Sequence, residues 1–364
     1  MTARETILSF LKGKLQNHIP FSTYAGSFVP RGEKGRKLRN EGLILIELCS
    51  ATLSQYHNVE VEIRGAQPQL SDKEKSEPYD RIWTRTYHTP VGDISEKIRR
   101  EPIHGTSDWV VEHLIKKPSD YRILQYILEN RTHDENCEGI KRAQNDLGED
   151  GIVYAEVDRS PLQQLMIEWV GVERFCLDYH DYLDPIEKLL SVAEEKQNLA
   201  YDIAAHSPAE VIWAPDNLMG DVVGPALYKK YLLPFYNRQA ELLHKAGKLY
   251  AVHMDGRLAS LADLIKRTNI DIVESFTLPE AGGDVPLKKA LEMWKEKSII
   301  ANIPAFLGNK SSKEVRDYIG GLKKDVLGVH NFAIGFYEDI PVTSLLETLS
   351  TIAETLTEKG TIVE

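Results

Sequence analysis

Apolar residues recur along this chain in two alternating rhythms. Short continuous apolar runs mark strands buried on both faces. Between them apolar side chains return every three or four residues, which marks amphipathic helices. From Val211 onward the alternation is regular. VIWAPD reads as a strand, GPALYKKYLLPFYNRQAELLHKAGK as a long helix and LYAVHMD as a strand; a helix follows from about Leu258 to Lys266, and IDIVESF is a strand. LKKALEMWKEK (helix), SIIANIP (strand), SKEVRDYIGGLKKDV (helix), NFAIGFYE (strand) and VTSLLETLSTIAETL (closing helix) continue the pattern. Pro225 lies near the first turn of the long helix and Gly247 ends it, while Pro234 inside it predicts a kink.

The first half carries the same signals at wider spacing. Residues 4–15 place Ile7, Leu8, Leu11 and Leu15 at helical intervals, with Thr2 as a cap. IPFSTY, the continuous run GLILIELCS and IVYAEV read as strands, and the basic, Gly-rich stretch AGSFVPRGEKGRKLRN as a solvated loop. Three early strands and five later ones predict one (β/α)8 TIM barrel over residues 1–364, a single domain. Residues 58–100 break the pattern. NVEVEIRG and RIWTRTYHTPVGDI alternate apolar with polar around a Pro-Val-Gly turn, so an antiparallel β-hairpin insertion is expected, with PQLSDKEKSEPYD as its polar tip. Helical patterns follow near residues 118–131, in an aromatic-rich stretch at 162–180, and at 185–205.

Composition narrows the field. A net charge of −11 argues against non-specific nucleic-acid binding, which requires excess Lys and Arg. The apolar runs fall far short of the ~20 residues of a membrane span, and no charged start with an apolar core marks a secretory signal. Cys49, Cys137 and Cys176 form no Cys-x-x-Cys pair, so a reducing cytoplasm is the expected setting. An isologous homodimer is the base-rate expectation.

The chemistry-bearing residues gather where parallel α/β folds put their sites, at the C-terminal ends of strands. These are Asp216, His253, Asp255, Glu274 and Glu338, with Asn302 one residue before another strand end. An imidazole and carboxylates suit a divalent ion held by three of these side chains with a position open for substrate, and His253, Glu274 and Glu338 are candidates for its ligands. Asp216 and Asp255 are candidates for acid–base work or substrate positioning. Bland readings stand beside these. Asp255-Gly256 is an ordinary turn pair, Asp216 can cap, Glu338 can form an ion pair, and His253 can bond across the rim. Tyr24, Trp83, Trp169 and Asn302 are candidates to line a substrate pocket, although aromatic side chains more often serve a core.

The run DNLMGDVVGPALYKKYLLPFYNRQAELLHKAGKLYAVHMDG, followed by IVESF, GGD and FAIGFYEDIP, resembles in its order the uroporphyrinogen decarboxylase superfamily, notably its cobalamin-dependent methyltransferase branch. The resemblance implies a (β/α)8 barrel that moves a methyl group from a methylated small molecule to the cobalamin of a partner corrinoid protein. In that branch a His-x-Cys turn and a later cysteine hold zinc. Here the turn reads His253-Met254-Asp255 and the late segment Gly335-Phe336-Tyr337-Glu338, while Glu274 matches an acid that some relatives add. A zinc site without thiolates is thus implied, a harder Lewis acid suited to oxygen or nitrogen. O-demethylase activity on a methyl ether is the expected function. The alternatives are a uroporphyrinogen decarboxylase-like lyase, disfavoured because the Arg-rich propionate-gripping stretch is absent near Ala25–Gly32, and a noncatalytic, metal-free binding member.

Overall fold

A computed structural model describes residues 1–14, 18–26, 32–65, 81–100, 108–338 and 342–357. The strands are β1 (Phe21–Tyr24), β2 (Leu43–Ser50), β3 (Thr52–Tyr56), β4 (Glu60–Gly65), β5 (Arg81–Thr89), β6 (Gly92–Arg100), β7 (Asp108–Glu112), β8 (Arg131–Glu135), β9 (Gly151–Glu156), β10 (Val211–Ala214), β11 (Leu249–His253), β12 (Ile272–Thr277), β13 (Ser298–Asn302) and β14 (Phe332–Phe336). Eight of them close into a parallel barrel in the order β1-β14-β13-β12-β11-β10-β9-β2, as the sequence pattern predicts. Two compact units carry these elements. The first comprises residues 1–50, 137–156 and 207–364, the second residues 51–136 and 157–206.

The barrel unit is built on alternation. Ile44, Ile46, Ile152, Val211, Ala251, Ile272, Ile300 and Ala333 fill its interior and are nearly or wholly buried. Ile7, Phe10 and Leu11, on the helix Ala3–Leu11, join the same cluster. That helix begins with a capping box between Thr2 and Glu5, which satisfies two of its orphan N–H groups. A second capping box, Ser311 with Glu314, opens the helix Ser312–Asp325. The expected kink at Pro234 takes a specific form. A π turn, Tyr228–Leu232, precedes the helix Leu233–Lys245, because the proline nitrogen has no hydrogen to continue the ladder. The stretch Gly32–Asn40 is a helix, not the loop its composition predicts.

In the second unit the inserted segment forms a four-stranded antiparallel sheet, β4-β5-β6-β7, one strand beyond the expected boundary at residue 100. β3 and β8 pair separately. The polar tip at 68–80 lies outside the described residues. Trp83, Tyr87, Ile94 and Ile98 of this sheet are buried, as are Trp169 and Phe175 from the helical segments. Among the described residues, no helix is long and apolar enough to cross a membrane.

Candidate active site

Because side chains alternate along a strand, the interior layer fixes which residues stand above it. His253 follows Ala251 at a spacing of two, Glu274 follows Ile272, Asn302 follows Ile300, Trp213 follows Val211 and Gly335 follows Ala333. Tyr24 ends β1, and Tyr337 leaves β14 two residues after Gly335. These residues form the uppermost interior layer at the C-terminal ends of the strands, the end that carries chemistry in such barrels.

Glu274 is the centre of the layer and is fully buried. A buried carboxylate needs donors, and it has three. The Tyr24 hydroxyl donates to Oε1 at 2.8 Å, the Trp213 indole N–H to Oε2 at 3.0 Å, and His253 Nδ1 to Oε2 at 2.5 Å. His253 and Glu274 are direct register partners on β11 and β12. A bulge follows at once. The β12–β13 register shifts between Val273 and Phe276, and Ser275 takes a left-handed φ of 61°. The extra residue changes the parity, so Phe276 leaves the interior and meets Trp294 edge-on at 5.9 Å. Positive φ at a non-glycine residue costs on the order of 1–3 kcal/mol and tends to cluster at functional sites.

Burial alone lowers the proton affinity of His253, but the charges and hydrogen bonds of Glu274 and Asp255 outweigh it and hold the imidazole at about 10. The ring is therefore an imidazolium at neutral pH, with Nδ1 committed to Glu274. Its Nε2 lies 3.5 Å from Asp255 Oδ2. Asp255 Oδ1 is buried and has no hydrogen-bond partner among the described residues. Tyr24 and Tyr337 are pushed well above the usual phenol value, by burial first and then by the charge of Glu274, so both remain donors.

An aromatic wall stands beside the pair. Tyr24 stacks on Tyr337 at 4.3 Å and meets Trp213 edge-on at 6.1 Å, while Trp213 meets the His253 ring at 5.7 Å. Tyr337 is held by a 2.9 Å hydrogen bond between its hydroxyl and Ser22 Oγ, and its backbone N–H donates to Asn302 Oδ1 at 3.3 Å. Below them the Tyr154 hydroxyl is fully buried and has no hydrogen-bond partner among the described residues.

The structure therefore brings His253, Glu274, Asp255 and Tyr24 together. Asn302 belongs to the same layer, where its amide donates to Glu338 Oε1 at 2.6 Å. Asp216 is fully buried behind the rim and accepts a hydrogen bond from the Tyr236 hydroxyl. Trp83 and Trp169 lie in the second unit, where both are buried. Trp213 and Tyr337, with Asn217, whose amide donates to Asp255 Oδ2 at 3.2 Å, belong to this candidate site and were passed over in the sequence. For Trp213 a signal existed, since it stands two residues beyond Val211 on a strand already recognised.

The donor set does not fit a three-ligand zinc site. Both oxygens of Glu274 accept from protein donors and Glu338 is engaged with Asn302, so of the three expected ligands only His253 keeps a ligating atom, Nε2, clear of these bonds. Among the described residues, no group of three His, Cys, Asp or Glu side chains is placed to hold a metal ion.

No protein-family profile matches the chain, and no curated protein matches it in sequence. Among solved structures it is similar to a methyltransferase from Methanosarcina mazei, with 98% of this chain aligned to 99% of that one at 13% identity and a TM-score of 0.60. At that identity the likeness shows a shared fold. Looser alignments reach a pneumococcal exo-beta-D-N-acetylglucosaminidase (10% identity, 95% of this chain and 84% of that one, TM-score 0.40) and Dispersin B (13%, 65% and 76%, TM-score 0.30).

Proposed function

We propose that the chain is a methyltransferase that removes a methyl group from a methylated small molecule, a methyl ether, and passes it to the corrinoid of a partner protein. The observation that carries this reading is the His253 imidazolium, clamped by Glu274 on one side and faced by Asp255 on the other, at the C-terminal end of the barrel. The full-length likeness in fold to a methyltransferase supports the reaction class.

Demethylating an ether needs a nucleophile at the methyl carbon and a proton at the departing oxygen. The corrinoid, as methyl acceptor, supplies the nucleophile. The chain supplies the proton. As the carbon–oxygen bond breaks, its electron pair stays on oxygen, and Nε2 of His253 donates its proton there, leaving an alcohol or phenol. Glu274 accepts from Nδ1 and holds the ring's orientation. Tyr24, Trp213 and Tyr337 offer flat apolar surface for the substrate and keep water from the proton. The electrophilic assistance expected from zinc is thus assigned to an imidazolium.

The test uses reduced free cobalamin as acceptor and a panel of methyl ethers, methanol, methylamines and quaternary methylammonium compounds as donors, with absorbance following cobalamin methylation. Wild-type protein methylates cobalamin from an ether, and His253→Asn does not. Equal rates in the two proteins, or methylation from quaternary amines alone, would overturn the assignment of His253 as the acid.

A further inference from the structure

The loops after β10 and β11 are fastened to each other. The Gly220 N–H donates to the Arg257 carbonyl at 2.7 Å and the Leu218 N–H to the His253 carbonyl at 3.4 Å. A methyl on Gly220 would lie 2.5 Å from Ser260 Oγ and 2.7 Å from the Arg257 carbonyl oxygen, and one on Gly256 would lie 2.6 Å from Met219 Cγ. The two loops therefore pack backbone against backbone.

At the head of the clamp stands Asn217. Its φ of 47° is left-handed, a conformation that asparagine tolerates better than any bulky residue. Asp216, the preceding residue, is fully buried and tied to Tyr236, which fixes the direction in which residue 217 leaves. The Asn217 amide donates to Asp255 Oδ2 at 3.2 Å. That same oxygen lies 3.5 Å from Nε2 of His253.

We propose that Asn217 is a positioning residue: its left-handed backbone and its amide together hold Asp255 Oδ2 facing Nε2 of His253, the ring nitrogen that Glu274 does not engage. The inference rests on the reading of His253 as the site's acid. An aspartate side chain has two torsions to order. Without the amide, only the attraction of the His253 ring itself favours the rotamer that faces it, and Asp255 Oδ1 already lacks a partner among the described residues. A backbone role alone would make Asn217 replaceable by glycine. A role through the amide would not.

The experiment observes the ring N–H groups of histidine in ¹⁵N-histidine-labelled protein at one fixed pH. Asn217→Gly keeps the left-handed backbone and removes the amide, while Asn217→Asp keeps size and backbone preference but replaces the donor by an acceptor. In both, hydrogen exchange at Nε2 of His253 becomes roughly tenfold faster or more, the loss of one hydrogen bond to a charged group. The His244 ring, paired with Asp271 at 2.8 Å, keeps its signal, and Asn217→Gly still unfolds in one cooperative transition, its melting temperature lowered only as the loss of one hydrogen bond requires. A His253 signal in Asn217→Gly identical to wild type overturns the proposal, as does a wild-type Nε2 proton that already exchanges like a free imidazole. Absence of cobalamin methylation by wild-type protein would sink the methyltransferase reading while leaving this result standing.

Discussion

His253 and Glu274 sit directly opposite each other on adjacent parallel strands, with Nδ1 and Oε2 2.5 Å apart. Parallel pairing puts both side chains on the inner face at one level, so the contact is set by register and not by a loop. The bulge at Ser275 begins immediately beyond it, which leaves the pair in register and redirects everything downstream.

This pair makes stability depend on pH with a definite sign. The His253 imidazole, pulled down by burial but raised further by Glu274 and Asp255, holds its proton up to about 10, above its ordinary value of 6.5. The folded chain therefore binds that proton more tightly than the unfolded chain. The resulting stabilisation is fully present below about pH 6.5 and is lost as pH rises through about 10. Glu274→Gln removes the largest favourable partner. Thermal unfolding across this window falls more steeply with pH for wild type than for Glu274→Gln; parallel curves would show that the pair does not hold the proton.

Tyr24 and Trp213 donate to the same buried carboxylate. Tyr24→Phe or Trp213→Phe leaves it short of one donor, at a cost of about 1–3 kcal/mol each. Because the two share an acceptor, their effects do not add. Urea unfolding of both single variants and the double variant measures the coupling. Strict additivity would mean that Glu274 does not link them.

Much of this architecture is legible in the amino-acid order. Buried barrel strands announce themselves as continuous apolar runs, and His253, Glu274 and Asn302 interrupt or end such runs at the C-terminal side. What stayed hidden has physical reasons. Trp213 within VIWA is indistinguishable from a core aromatic until the parity of the strand is counted. The bulge at Ser275 has no glycine to mark it. The helix Gly32–Asn40 buries little beyond Leu38 and Gly35, so no apolar period betrays it. The pairing of Asn217 with Asp255 joins residues 38 positions apart and needs the close approach of two loops at Gly220 and Gly256.

Gly335 permits the aromatic wall. A side chain there would meet the Tyr337 ring at 2.3 and 2.5 Å. Gly335→Ala displaces that ring, and with it the stack on Tyr24 and the bond to Ser22, at about 1–3 kcal/mol for overpacking. The melting temperature falls and the near-ultraviolet circular dichroism of the tyrosines changes. An unchanged spectrum would mean that the ring has free space elsewhere.

Asp216 separates an anchoring role from a chemical one. It is fully buried, takes the Tyr236 hydroxyl, and precedes the left-handed Asn217. The nearby Tyr228 phenol is pushed well above its usual value, by burial first and then by the charge of Asp216. Tyr236→Phe leaves the carboxylate with one donor fewer, a loss of about 1–3 kcal/mol. Asp216→Asn is milder, because the amide oxygen still accepts from Tyr236 and no buried charge remains; Asp216→Ala is the most damaging of the three. In each variant the loss of cobalamin methylation follows the loss of stability. An Asp216→Asn protein with wild-type melting temperature and abolished methylation would place Asp216 in the chemistry itself.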